Sequence, residues 1–323
     1  MKPGSNYYLG IDVGGSNTGI GVVRPSGELV VSTKISTDVR RGPKQLVSMI
    51  GETARRLMDE CCAEVRLVGM GTPGPLDTHK GIVLEMPNLG WKNVPLGQMV
   101  QEELGITTYL DNDANAAAFG EWWVGAGVGA RVLVCFTLGT GVGGGIVIDG
   151  SVFRGVKGAA AEFGHMIIQL NGRVCKCGKR GCLEAYASAS AIASRARERA
   201  EAGDLPALLE LAGGEVSRIT SEMVSQSALE GDRFAQKIME ETASYLAIGV
   251  SNVMNALNPD VVVIGGGVMG AGDMILEPLR RFVRELTFEA IDDSARIVPA
   301  KLGREAGVIG AAGIAMMREE SLR

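Results

Sequence analysis

Four residues of this chain have the types and spacing of a tetrahedral metal site. Cys175, Cys177 and Cys182 fall within eight positions, around Gly178 and Gly181, and His165 lies ten residues upstream. Three thiolates and an imidazole make a zinc set, and with all four positions filled by protein the ion would be structural. Glu162 stands three residues before His165, and Glu184 two after Cys182. A closed knuckle would gather these two carboxylates, which are distant in sequence. Carboxylates accept hydrogen bonds from sugar hydroxyls; the alternative is that both are solvated surface charges.

A second kind of chemistry is written in glycine turns. Asp12-Val13-Gly14-Gly15-Ser16-Asn17 places bare backbone and a hydroxyl at a strand end. Backbone N–H groups there can cradle an anion, and Asp12 can hold a magnesium ion through water. The bland reading is a plain hairpin. It is not a Walker A loop, because G-x-x-x-x-G-K-[ST] is absent. Leu138-Gly139-Thr140-Gly141-Val142-Gly143-Gly144 contains G-x-G-x-x-G, but Ile146-Val147-Ile148 and Asp149-Gly150 predict a strand and a hairpin after it. A dinucleotide fingerprint should open a helix, so that reading fails on context. Two such hairpins can grip a triphosphate. Gly265-Gly266-Gly267, after an apolar strand, suits a nucleoside packed on bare backbone.

The third constellation is Asn112-Asp113-Ala114-Asn115, between a predicted strand and an alanine-rich helix. Sites in open α/β sheets lie beyond the strand carboxyl ends. Asp113 there is either a general base for an alcohol or the cap of the helix, and the two roles can coexist.

The elements that must hold these groups alternate. Strands are predicted from Tyr7 into the first turn and over 20–23, 29–34, 65–69, 107–110, 131–138, 146–148 and 261–264. Helices are predicted over 43–62, 94–104, 232–257 and 307–317, from apolar residues at helical spacing. The class is α/β. Gly14, Gly19 and Val22 recur at the same spacing as Gly139, Gly144 and Val147, which suggests a duplicated strand–turn–strand unit. Cys61, Cys62 and Cys135 are expected to be buried thiols, His79 a surface residue, and Trp122-Trp123 core packing.

The composition excludes several classes. The 323 residues are 46% hydrophobic and 21% charged, with a net charge of −5. A nucleic-acid binder needs the opposite sign. No apolar run reaches the roughly 18 residues of a membrane span, and residues 1–10 lack the core of a signal peptide. The expectation is a cytoplasmic protein with no nucleic-acid or membrane partner, whose six cysteines are metal ligands or thiols. The 46 glycines are about twice the usual share of roughly 7%.

These segments, in this order, resemble the ROK family of bacterial sugar kinases and repressors: Asp12-Val13-Gly14-Gly15, Gly71-Thr72-Pro73-Gly74, NDANAAAFGE (112–121), LGTGVGGG (138–145), EFGH (162–165) and CKCGKRGCLEAYAS (175–188). The resemblance runs from about residue 7 to 317. It implies two actin-like, ribonuclease H-type domains closing on a cleft. The small one would be 1–115 plus 305–323, and the large one 116–304 with the zinc knuckle. It implies ATP, Mg²⁺ and structural Zn²⁺, with Asp113 as catalytic base and Asn112, Glu162, His165 and Glu184 as sugar ligands. His165, Cys175, Cys177 and Cys182 would hold the zinc. Asp12, Gly14, Gly15, Ser16 and Asn17, with Gly139, Thr140 and Gly141, would meet the phosphates, and Gly265, Gly266 and Gly267 the adenosine. Many members carry Thr and then Lys or Thr where this chain has Ser16-Asn17, which shifts phosphate binding toward backbone N–H groups. Glu184-Ala185-Tyr186-Ala187-Ser188 is similar to the glucokinase branch, so the resemblance implies transfer from ATP to the 6-hydroxyl of D-glucose. Other readings are a kinase for mannose, fructose, allose or N-acetylmannosamine, a polyphosphate-using kinase, and a sugar-sensing repressor. Repressor relatives carry a helix-turn-helix ahead of the first strand, for which a strand starting near Tyr7 is expected to leave no room. Relatives are commonly homodimers or homotetramers.

Overall fold

The computed structural model describes residues 6–37, 42–86, 89–292 and 295–320. The chain forms two compact units. Unit 1 comprises 1–129, 145–161 and 301–323, and unit 2 comprises 130–144 and 162–300.

Unit 1 opens with β1 (Tyr7–Val13), β2 (Asn17–Val23), β3 (Leu29–Ser36), α1 (Gly42–Glu60) and β4 (Val65–Thr72). A small antiparallel sheet follows, β5 (Leu76–Asp77), β6 (Ile82–Met86) and β7 (Trp91–Val94), then α2 (Leu96–Leu104), β8 (Thr108–Asn112) and α3 (Asp113–Trp123). The main sheet has the order β3-β2-β1-β4-β8, antiparallel across β1, β2 and β3 and parallel across β1, β4 and β8. Alternation along β1 sorts the two faces. Leu9, Ile11 and Val13 turn to one side and pack in one cluster with Leu46, Ile50 and Leu57 of α1 and Leu96 of α2. Each such fully buried side chain stabilises the fold by about 1.5–3 kcal/mol. Tyr8 belongs to a second cluster, with Val23 and Ala312. On that face Gly10 and Gly69 let carbonyls of Val308 and Ala311 come close enough to exclude any side chain. Asp12 shares that face.

The chain continues through β9 (Val132–Leu138), β10 (Val142–Ile148) and β11 (Ser151–Val152). A four-residue α4 (Glu184–Ala187) is followed by α5 (Ala189–Glu201), α6 (Pro206–Leu211), α7 (Ser221–Leu229) and α8 (Arg233–Leu257). The remaining elements are β12 (Val261–Gly265), α9 (Asp273–Leu286), α10 (Glu289–Asp292), β13 (Arg296–Pro299) and α11 (Ala306–Glu320). The second sheet has the order β11-β10-β9-β12-β13, with β10 passing from unit 2 into unit 1. β12 is parallel to β9 and to β13 and is buried along its whole length. α8 starts on an Asp232 cap that accepts from Phe234 and Ala235 N–H, and stops at Asn258 in the left-handed conformation, just before Pro259. No helix among the described residues is long and apolar enough to cross a membrane.

The α/β class and the repeated hairpins are present. Asp149 and Gly150, at φ 48° and 78°, make the turn between β10 and β11. Three expectations change. The return strand starts at Val142 rather than Ile146. α1 ends at Glu60, so Cys61 and Cys62 lie in the turn beyond it, Cys62 exposed at φ 48°; the apolar periodicity ran past the helix end. The compact units also divide the chain elsewhere than at residue 115. α3 and residues 145–161 belong to unit 1, because α11 packs along α3 and Gly145 lies against Ala114 and Ala118. The far end of the expected small domain, 321–323, lies outside the described residues.

Candidate active site

In unit 1 the sheet register lines up one row of polar groups. Asp12 pairs with Gly71, and Gly71 with Asp111; one step on, Thr72 pairs with Asn112. Asp113 and Ala116 of α3 pack over Gly71, where a side chain would meet them at 3.3 and 3.2 Å. Asp12, Asp113 and Asp111 therefore cluster at the carboxyl end of three parallel strands. Burial pushes the Asp12 carboxyl up to about 6, the nearby Asp113 charge adds to this, and Lys34 opposes it.

The helix-capping role falls on Asn112, not on Asp113. The Asn112 side-chain oxygen accepts from the N–H of Ala114 at 2.9 Å and of Asn115 at 3.2 Å. Asp113 is the first residue of α3, and its Oδ1 also accepts from Ala114 N–H, at 2.8 Å. The Asn112 amide group remains as its donor toward a ligand. In the first turn, Gly14 N–H closes onto Asn17 O at 2.9 Å, and Ser16 O accepts from Thr37 N–H at 2.9 Å. Gly15, Ser16 and Asn17 form an exposed tip. The buried Thr72 hydroxyl has no partner among the described residues.

Unit 2 holds the other predicted groups. Its glycine turn is gripped by α4 and α5. Gly139 O accepts from Ala189 N–H at 2.9 Å, Thr140 O from the Ser190 hydroxyl at 2.8 Å, and Glu184 Oε2 from Val142 N–H at 3.1 Å. A side chain on Gly141 would collide with the Glu184 carboxylate. A cavity of about 270 Å³ lies beside this turn, lined among others by Thr140, Arg173, Lys176, Glu184 and Ser190. Gly265 ends β12, and Gly266 and Gly267 follow it on the surface.

The knuckle assembles as expected from its spacing. His165, Cys175, Cys177 and Cys182 offer ligand atoms that all lie within 4.8 Å of one another. Cys177 Sγ and Cys182 Sγ are 3.7 Å apart, and Cys175 Sγ is 3.9 Å from His165 Nδ1. Zinc–sulfur bonds of about 2.3 Å give a tetrahedron with edges of about 3.8 Å, so these donors fit that ion. Burial pushes the Cys175 thiol up to about 12 and raises that of Cys182, whereas the backbone N–H of Lys179 lowers that of Cys177. The hairpin closes through Cys175 N–H to Lys179 O at 2.8 Å, and Arg173 N–H donates to the Tyr186 phenol at 2.6 Å. Glu184 Oε1 lies 3.6 Å from Cys175 Sγ, so one carboxylate touches both the knuckle and the glycine turn. Glu162 precedes a short 3₁₀ turn, Phe163–His165, and His165 ends it; both are exposed. His79 is exposed, Cys135 is buried in β9, and Trp122 and Trp123 pack on Phe119 with ring centres at 5.3 and 6.2 Å.

Three residues escaped the sequence reading. Asp111, 2% exposed, pairs with Arg154. Glu121, 1% exposed, accepts from the N–H of Ala126, Lys301 and Leu302. A polar residue closing an apolar strand was the available signal for Asp111. Glu121 stood inside the NDANAAAFGE segment without an assigned role, and nothing marked Arg154.

Residues 8–318 match the profile of the ROK family. The chain is 37% identical over 320 residues to a glucokinase of Halalkalibacterium halodurans, across 98% of this chain and 97% of that one. It is 37% identical over 307 residues to a glucokinase of Thermotoga maritima, across 95% and 96%. Among solved structures, a ROK family glucokinase from Streptomyces griseus in complex with glucose and AMPPNP superimposes with a TM-score of 0.82. It is 35% identical, across 96% of this chain and 99% of that one.

Proposed function

The chain belongs to the ROK family, and from that we propose that it is an ATP-dependent glucokinase, converting D-glucose and ATP–Mg²⁺ to glucose 6-phosphate and ADP. The observation that carries this reading is likeness along almost the whole chain to glucokinases, one of them solved with glucose and a nucleotide analogue. The carboxylate row at the end of β1, β4 and β8 supplies the chemistry.

In this reading Asp113 accepts the proton of the 6-hydroxyl as its oxygen attacks the γ-phosphorus and the β–γ bridging oxygen leaves with ADP. Such transfer is mostly positioning and charge stabilisation. N–H groups of the turns at Gly14–Asn17 and Gly139–Gly141 meet the phosphates, and Gly265–Gly267 the adenosine. Asp12 would hold the magnesium of ATP–Mg²⁺, which would supply positive charge to the phosphates and to a carboxylate that burial and Asp113 make costly. Asn112, Glu162, His165 and Glu184 meet sugar hydroxyls. His165, Cys175, Cys177 and Cys182 would hold a structural zinc, which would fix the imidazole on its Nδ1 side, the side that faces Cys175, and leave Nε2 for the sugar. The shared order of the two five-stranded sheets supports reading both as actin-like, ribonuclease H-type domains.

The test is ADP release across a panel of glucose, mannose, fructose, allose and N-acetylmannosamine, with ATP or polyphosphate as donor. Glucose with ATP should give the highest kcat/KM. A faster alternative sugar or donor moves the substrate assignment. Sugar binding with no ADP release from any pair removes the kinase.

A further inference from the structure

We propose that Arg154 and Asp111 form a positioning pair that sets Asn112 and Asp113 for catalysis. This rests on the reading of Asp113 as the base.

Asp111 is 2% exposed at the end of β8. A carboxylate so placed is costly unless every oxygen is satisfied. Its two oxygens are divided between two tasks. Oδ1 accepts from Asn112 N–H at 2.8 Å and from Asn115 Nδ2 at 3.0 Å, which ties the strand end to the first turn of α3. Oδ2 accepts from Arg154 Nε at 2.7 Å and Nη2 at 2.5 Å. A third nitrogen, Nη1, donates to Val152 O at 3.2 Å, so the guanidinium is anchored to β11 as well.

Two features argue against a merely structural ion pair. Asn115 is 2% exposed and spends its amide donor on Asp111, while its Oδ1 has no partner among the described residues. A buried orphan acceptor in a native fold calls for a reason, and holding Asp111 in one orientation supplies it. Moreover, Asp111 shares its strand-end row with Asp12, and Asp113 of α3 packs over Gly71 between them, so three carboxylate residues meet at this end of the sheet. Arg154 matches the third carboxylate of the cluster with a fixed, planar cation, so the junction carrying Asn112 and Asp113 is held without adding uncompensated negative charge beside the base. Arg154 touches no reacting atom and acts through Asp111.

The experiment compares Arg154→Met, Arg154→Lys, Asp111→Asn and the double variant Asp111→Asn/Arg154→Met in the full chain. It measures kcat, KM for glucose and ATP, and melting temperature. A misplacement of about 1 Å can cost about 10²-fold in rate. Arg154→Met is therefore expected to lower kcat by about that factor with both KM values nearly unchanged. Arg154→Lys keeps the charge without the fork and should lie between it and wild type. Removing the orphaned carboxylate in the double variant should recover kcat to within about tenfold of wild type. The inference is overturned if folded Arg154→Met matches wild type in kcat, or if the double variant is no better than Arg154→Met. Should Arg154→Met not fold, Arg154→Lys decides it: a wild-type kcat there overturns the pair. Asp113→Asn run alongside separates the two ideas. If it keeps full turnover, the base assignment fails; if it is inactive while Arg154 is tolerant, only the positioning pair fails.

Discussion

Two regions of this molecule hold polar groups still by different means. The carboxylate row of unit 1 sits on register. β1, β4 and β8 place Asp12, Gly71 and Asp111 side by side, Asn112 caps α3, and Arg154 answers Asp111. The knuckle region of unit 2 has almost no regular structure. Between β11 and α4 the described chain offers one 3₁₀ turn, over 163–165, and two isolated bridges, Ile167 with Cys182 and Val174 with Arg180. Main-chain ladders position the first set, and a cross-link through four side chains suits the second. The cost differs too: buried like charges weaken the fold of unit 1, whereas under the proposed zinc binding unit 2 would depend on an ion it must acquire.

The largest effect should follow from removing that ion. Structural zinc is worth about 10–16 kcal/mol in isolated finger peptides, and part of that loss falls here on a segment with few other restraints. If the proposed zinc is bound, Cys177→Ser should abolish a metal content of one zinc per chain, lower the melting temperature, and open residues 166–183 to proteolysis. Because Glu184 joins the knuckle to the turn at Gly139–Val142, KM should rise for ATP as well as for glucose. A zinc-free variant with wild-type melting and both KM values intact would show that the polypeptide orders this region alone.

Next in size is the loss of the proposed base. Asp113→Asn should lower kcat by about 10²–10⁴-fold. Glucose KM and melting should barely move, because the capping of α3 rests on Asn112. A large loss of stability instead would make Asp113 part of the scaffold that holds the carboxylate row.

Asp12→Asn should separate stability from function by up to about 3 kcal/mol. The folded carboxyl is raised to about 6 from 3.8, so between those values the folded chain holds the proton more tightly than the unfolded one. Wild-type stability therefore falls as pH rises through that window and stays reduced above it. The asparagine variant lacks this term. Denaturation at pH 7 should find the variant more stable, the two should converge below about pH 4, and turnover should be lost. Equal stability at both pH values would mean that the cluster stores no electrostatic strain.

The same contrast explains what could be read without coordinates. The α/β class, the paired hairpins, Asp113 at a strand end and the cluster of His165 with three cysteines were visible because each is local: a period, a turn residue, a spacing. The extent of α8 was legible from Asp232 and Asn258-Pro259 for the same reason. Asp111–Arg154 was not, since the partners stand 43 positions apart and neither belongs to a motif. Glu121 was missed because its partners are backbone N–H groups of Lys301 and Leu302, which have no signature in side-chain type. The three short strands of unit 1 between β4 and α2 were also overlooked, being too brief for alternation to register.

The smallest effect tests how far the knuckle leans on its protein surroundings. The Tyr186 phenol accepts from Arg173 N–H at 2.6 Å, and its ring packs on Tyr245 at 4.5 Å between centres. Phe in its place keeps the ring and removes the one acceptor, for a loss of about 1 kcal/mol. If the ion dominates, Tyr186→Phe should retain zinc, and its cost in melting should be small with the metal bound and larger after chelation. Among the described residues, the chelated chain would hold residues 172–181 through such bonds and the Arg173–Glu198 ion pair. If the variant instead sheds zinc at concentrations where wild type keeps it, then the hydrogen bond orients the hairpin before the metal arrives. In that case unit 2 would use backbone placement much as unit 1 does, with the cross-link added to a site already formed.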